Sequence, residues 1–133
     1  MKILVAGGGT AGHISPVLAV IASIRKLDKN AEILFVCSGK DYETKLLDDN
    51  NINYKIVPSG KYRRYGRGIK ELADFRTQAK NLADLGRIFR GYGYSRRIIK
   101  EFKPDVVFVK GGYVGLPVGL AASRLKEIGR AHV

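Results

Sequence analysis

Two short apolar runs that end in glycines constrain the fold of this chain more than any other feature. Ile3-Leu4-Val5-Ala6 runs straight into Gly7-Gly8-Gly9, and Asp105-Val106-Val107-Phe108-Val109, introduced by Pro104, reaches Gly111-Gly112 after one lysine. An apolar run of this length without polar alternation reads as a strand buried on both faces, as in the interior of a parallel sheet. Each glycine turn is followed by a helical pattern. After the first, Pro16 marks the first turn, Leu18, Ile21, Ala22 and Ile24 point to the sheet, and Arg25 and Lys26 favour the C-terminal end. After the second, a helix is expected from Pro117 to Leu125.

Three further segments complete the alternation. Ile33 to Cys37 reads as a second strand, Asp41 to Asn50 as a short helix anchored by Leu46 and Leu47, and Tyr54 to Val57 as a peripheral strand stopped by Pro58. Ser59 to Gly68 reads as a loop, and Ile69 to Phe102 as helical, with Gly91 and Gly93 expected to break it in two. Strands alternating with helices mean right-handed βαβ units, hence an α/β, Rossmann-like, doubly wound parallel sheet. The expected strand order, 3-2-1-4, makes the two glycine-terminated strands neighbours. With 133 residues, 45% of them hydrophobic, the chain can fill one core. A single Cys excludes a disulfide framework and a four-thiolate zinc site. No apolar run nears the ~20 residues of a membrane span, and the first is too short for a signal peptide. A soluble domain in a reducing compartment is the expectation.

The chemistry should sit at the glycine turns. Gly7, Gly9 and Gly12 satisfy G-x-G-x-x-G, and free N–H groups at a following helix start attract phosphate oxygens. A dinucleotide site would also want an acidic residue at the end of the second strand, where this chain has Cys37-Ser38-Gly39-Lys40. A P-loop is excluded, because no Gly-Lys-Ser/Thr follows at the required spacing. In the expected strand order both turns open on one crevice, which suits a diphosphate; the alternative is two packing turns.

The charge is also localised. Of a net +12, residues 61–103 carry +9, from 13 Lys and Arg against 4 Asp and Glu. Lys61, Arg63, Arg64, Arg67, Arg87 and Arg90 lie among Tyr62, Tyr65, Phe75, Phe89, Tyr92 and Tyr94, with an apolar stripe at Leu82, Leu85, Ile88 and Phe89. Basic residues around exposed apolar ones suit an anionic membrane surface; the plainer reading is a solvated helix whose apolar stripe packs on the sheet. No helix-turn-helix, RNP or zinc signature accompanies the charge, so no nucleic-acid partner is expected.

Taken together, Gly8-Gly9-Thr10-Ala11-Gly12-His13 with Pro16, the basic Ser59-Gly60-Lys61-Tyr62-Arg63-Arg64-Tyr65, and Lys110-Gly111-Gly112-Tyr113-Val114 before Pro117 resemble the MurG family. The resemblance spans residues 1–126 and implies the N-terminal, acceptor-binding half of a two-domain GT-B glycosyltransferase. That family transfers GlcNAc from UDP-GlcNAc to a lipid-linked muramyl-pentapeptide diphosphate in peptidoglycan synthesis, at the cytoplasmic face of the bacterial membrane, as an inverting hexosyltransferase. The resemblance implies that Gly9, Thr10, Ala11, Gly12 and His13 bind substrate, that Gly111, Gly112 and Tyr113 meet the acceptor diphosphate, and that His13 is the catalytic residue. Ala11 stands where the family usually has Gly, and Gly115 where many relatives carry a small polar residue such as Ser. Such a transfer needs an acceptor hydroxyl deprotonated and a leaving diphosphate stabilised. A His of near-neutral pKa suits the first and helix-terminal N–H groups the second, with neither metal nor cofactor expected. His13 is equally compatible with binding phosphate or capping its helix.

Two other functions fit the same features: a free-standing NAD(P)-binding Rossmann domain of an oxidoreductase, and a standalone acceptor-binding subunit of a split glycosyltransferase. Residues 127–133, Glu-Ile-Gly-Arg-Ala-His-Val, read residue for residue as one frame of a common sequencing adapter that then meets a stop codon. They are expected to be a non-native tail and are set aside in reading the fold, and His132 is given no role.

Overall fold

β1 (Lys2–Ala6) lies inside a parallel sheet, flanked by β2 (Glu32–Cys37) and β4 (Val106–Val109). The computed structural model describes residues 1–8, 11–59, 75–125 and 129–131. β3 (Asn53–Ile56) closes one edge beside β2, and β5 (Gly129–Ala131) the other beside β4, giving the order β3-β2-β1-β4-β5. The expected 3-2-1-4 arrangement is therefore present, with one more strand.

Alternation along β1 divides the core into two layers. Ile3 and Val5 point to one face, with Ile33, Phe35 and Cys37 of β2, and are covered by α1 (Ala11–Leu27) and α2 (Asp41–Asp49). Leu4 and Ala6 point to the other, with Val36 and Val107, and are covered by α3 (Phe75–Phe102) and α4 (Gly112–Leu125). Burial on both faces explains why β1 reads as a continuous apolar run. Leu4, Val5, Ala6, Phe35 and Val36 are fully buried.

Four sequence expectations need correction. Pro16 and Pro117 do not begin their helices: α1 starts at Ala11 and α4 at Gly112, so each proline is the sixth residue. A proline there withdraws one i→i−4 donor, from the carbonyls of Gly12 and Tyr113, a loss confined to the end of the helix nearest the glycine turn. The buried face of α1 is Ile14, Val17 and Ile21, with Leu18 and Ile24 half-buried, and Ala22, expected to face the sheet, is exposed.

Gly91 and Gly93 do not break the long helix, which runs unbroken from Phe75 to Phe102. Gly91 lies against the Pro58 carbonyl and the Pro117 ring, and a side chain there would run into the Pro58 carbonyl. The packing gained offsets the ~1 kcal/mol that a helical glycine costs. Ser95, buried one turn later, donates its hydroxyl to the Gly91 carbonyl at 2.7 Å.

Residues 129–131, set aside in the sequence reading, pair in parallel with Val106, Val107 and Phe108. The outer edge of β4 offers unpaired N–H and C=O groups, and a ladder asks of its partner only an extended backbone. The expected loop at 59–68 and the start of the long helix before Phe75 lie outside the described residues, apart from Ser59.

Candidate functional site

The chain leaves β1 and β4 toward opposite faces of the sheet. α1 packs with Ile3 and Val5, α4 with Leu4 and Ala6. A crevice must open where neighbouring parallel strands part in this way, beyond their carboxyl ends. The two turns are pinned to the sheet: Gly7 N–H donates to the Val36 carbonyl at 3.2 Å, and Lys110 N–H to the Ala6 carbonyl at 3.0 Å.

The glycine turns meet. A Cβ on Gly112 would lie 2.5 Å from the Gly8 carbonyl oxygen, closer than any side chain is tolerated, and Gly112 has φ +79°. Both the backbone conformation and the approach of the other turn exclude a side chain there. Gly8, at φ +138°, is closed from the other direction: its Cβ would lie 2.7 Å from Glu43 Oε1. The first turn is thus held between a carboxylate and the second turn.

Among the expected site residues, the structure brings Gly112 against the first turn, with Gly111 before it at φ +79° and Tyr113 exposed after it. Ala11, Gly12 and His13 form the opening turn of α1, which puts the backbone of His13 at the crevice end of that helix. Gly9, Thr10, Lys61, Arg63, Arg64 and Arg67 lie outside the described residues. Arg87 and Arg90 are exposed on α3. Most of the apolar stripe beside them is turned to solvent: Leu82 is 71% exposed, Leu85 47% and Phe89 68%, while Ile88 is half-buried. No helix among the described residues is long and apolar enough to cross a membrane.

Sequence reasoning missed Glu43. Its side chain is fully buried, and Oε2 accepts the Ser38 N–H at 2.9 Å, the Ser38 hydroxyl at 2.6 Å and the Lys40 N–H at 3.4 Å. It is the third residue of α2, where a carboxylate that reaches back to the N-cap N–H also complements the helix dipole. The signal was its spacing of four from Leu47, which puts it on the inward face. A lysine at the N-cap hid the usual capping pattern. Cys37, where β2 ends, is also fully buried. Burial pushes its thiol up to about 11; a hydrogen bond with the Gly39 backbone opposes this, and the nearby Glu43 charge adds to it. A thiol so placed belongs to the core rather than to a nucleophile's site.

Glu43 also bears on the dinucleotide reading. The carboxylate found at this corner faces inward, under Gly8, and not outward to a ribose.

An open parallel sheet that reverses order between β1 and β4, with two glycine turns in contact there, defines a Rossmann-like ligand-binding domain of the kind found in GT-B glycosyltransferases. The chain belongs to glycosyltransferase family 28, whose N-terminal domain model matches residues 3–130. It is 39% identical over 121 residues to a protein of Lachnospira eligens named UDP-N-acetylglucosamine--N-acetylmuramyl-(pentapeptide) pyrophosphoryl-undecaprenol N-acetylglucosamine transferase, covering 91% of this chain and 30% of that one. A protein of the same name from Shouchella clausii is 40% identical over 125 residues, covering 94% and 32%. The crystal structure of Acinetobacter baumannii MurG superposes with a TM-score of 0.69 at 26% identity, over 96% of this chain and 33% of that one. The chain thus spans about a third of the length of the relatives it matches.

Proposed function

We propose that this chain is the acceptor-binding domain of an enzyme that transfers GlcNAc from UDP-GlcNAc to an undecaprenyl-diphosphate-linked muramyl pentapeptide. The contact between Gly8 and Gly112 carries the reading: two backbone turns meet where the sheet reverses, and no side chain lies between them. The relatives' names supply the substrates, and the family membership supplies the reaction class.

Within that reading the domain places the acceptor and helps to activate it. N–H groups at the starts of α1 and α4 face the crevice and complement the acceptor diphosphate without reorganising. The acceptor hydroxyl gives its proton to His13 as its oxygen bonds to the anomeric carbon. The bond from that carbon to the UDP oxygen breaks on the opposite side, and the departing diphosphate keeps the electron pair. The exposed Leu82, Leu85 and Phe89, with Arg87 and Arg90 beside them, rest on the anionic membrane surface from which a lipid-linked acceptor is drawn.

Titrating the chain with farnesyl diphosphate and with NADP tests the binding half of this reading. Saturable binding of the first alone is expected; preference for NADP would overturn it. In the intact enzyme, His13→Ala should lower kcat by about 10²–10⁴, the usual contribution of a general base. Turnover close to the parent's would remove His13 from the chemistry.

A further inference from the structure

Glu43 is a buried carboxylate that the transfer reaction does not use. A polar group taken out of water is kept where its contacts fix something, and here the hydrogen bonds on one side and the close approach on the other can be named. Oε2 gathers donors from the β2–α2 turn: the Ser38 N–H and hydroxyl and the Lys40 N–H. Oε1 is the atom closest to the space a Gly8 side chain would fill, and the Tyr42 hydroxyl approaches it at 3.5 Å. Gly8 in turn presents its carbonyl to Gly112. The carboxylate, the first glycine turn and the second therefore form one stack running from α2 to the start of α4.

We propose that Glu43 is a positioning residue for the ligand crevice: its buried carboxylate ties the β2–α2 turn to the underside of Gly8 and so sets the height of the first glycine turn against the second. This rests on the acceptor-binding reading above and names the element that regulates that site's geometry. The group need never touch the ligand. A carboxylate suits the task because it only accepts, and the groups that the Ser38–Lys40 turn directs at it are donors. An amide has no equivalent arrangement. With its oxygen toward Ser38 its NH2 faces Gly8, and flipped, its NH2 confronts the Ser38 and Lys40 N–H groups. Glu43→Gln, nearly identical in shape, therefore changes the stack without emptying the space.

The test uses the whole 133-residue chain, three readouts and two variants. Amide exchange is followed in peptides covering residues 3–13 and 106–118, affinity is measured for farnesyl diphosphate, and the urea midpoint is recorded. For Glu43→Gln, exchange within residues 3–13 should rise by about tenfold and binding weaken by about tenfold, the loss of roughly one hydrogen bond to a charged group, while residues 106–118 keep the parent's protection. Ser38→Ala removes one donor and leaves the carboxylate in place. It should move both readouts in the same direction by roughly threefold, and it decides the question if Glu43→Gln does not fold. Exchange rising equally in both peptides, with unchanged affinity in the folded protein, would make Glu43 a general core anchor and overturn the proposal. If the parent itself does not bind farnesyl diphosphate, the acceptor-binding reading fails, and the contrast in exchange between the two peptides still decides the role of Glu43.

Discussion

Gly111 and Gly112 offer a controlled measurement of how closely the two glycine turns are pressed together. Both have φ +79°, yet a Cβ on Gly111 would meet nothing within 4 Å, whereas one on Gly112 would lie 2.5 Å from the Gly8 carbonyl oxygen. Replacing either with Ala incurs the left-handed backbone penalty of about 1–2 kcal/mol. It also removes about the same unfolded-chain entropy in both cases, so that contribution cancels between them. Only Gly112→Ala adds the collision. Ordinary carbon–oxygen contacts begin near ~3.3 Å, so the turns must part by about 0.8 Å or strain the backbone, an overpacking cost of about 1–3 kcal/mol. Gly111→Ala should therefore lose about 1–2 kcal/mol and Gly112→Ala about 2–5 kcal/mol. With a urea slope of ~1–3 kcal/mol/M, the two midpoints should stand about 1 M apart. Gly112→Ala should also bind farnesyl diphosphate more weakly than Gly111→Ala, because the moved backbone lines the crevice. Equal midpoints for the two variants would refute the reasoning, since the contact would then bear no load.

Further outcomes follow from other close contacts and from burial. A Cβ on Gly115 would lie 2.7 Å from Val109 Cγ1, so Gly115→Ser should destabilise by about 1–2 kcal/mol, and adding Val109→Ala should recover part of that loss in a double-mutant cycle. Cys37, held up at about 11 by burial, should resist a thiol reagent at pH 8 until urea is added. Its folded pKa lies above the unfolded value, so its contribution is full below about pH 9 and disappears as the pH rises through 11; the stability gap between the parent and Cys37→Ala should shrink by about 2–3 kcal/mol over that window in urea titrations. Replacing Leu85 and Phe89 with Ser should reduce co-sedimentation with liposomes rich in anionic lipid while raising neither exchange nor the urea sensitivity of the core, because both side chains are already exposed; sedimentation equal to the parent's would sink the docking surface.

The sheet was legible because its signals are local and redundant. An apolar run, a glycine turn and a helical pattern occur twice, and the right-handed crossover rule leaves few ways to join them. What was misread depended on contacts between distant segments. Gly91 looks like a helix breaker until the Pro58 carbonyl and Pro117 are seen lying against it. Pro16 and Pro117 look like first-turn residues because an isolated helix would put them there, whereas tertiary packing extends each helix back to the glycine turn. Glu43 was passed over for the same reason: its partners Ser38 and Lys40 are near in sequence, but its significance lies in Gly8, which is 35 positions away and meets it only when β1 and β2 pair. The apolar stripe of α3 was visible in sequence as a stripe; whether it faced protein or solvent depended on which side of the helix packs in the core and against α4.

The length of α3 has a mechanical side. α3 has 28 residues, a rod of ~42 Å, beside a five-residue strand, β1, of ~16 Å. Its C-terminal end is clamped by Ile98 and Ile99 in the core, and Gly91 rests against the same α4 that begins at Gly112. From Gly91 back to Phe75 is 16 residues, ~24 Å of helix. With the core at Ile98 and Ile99 as fulcrum, a tilt of about 5° would carry the Phe75 end by ~3 Å and Gly91 by ~1 Å against Pro117, five residues from the Gly8 contact. A tilt of α3 would thus press on the helix whose opening glycine touches Gly8.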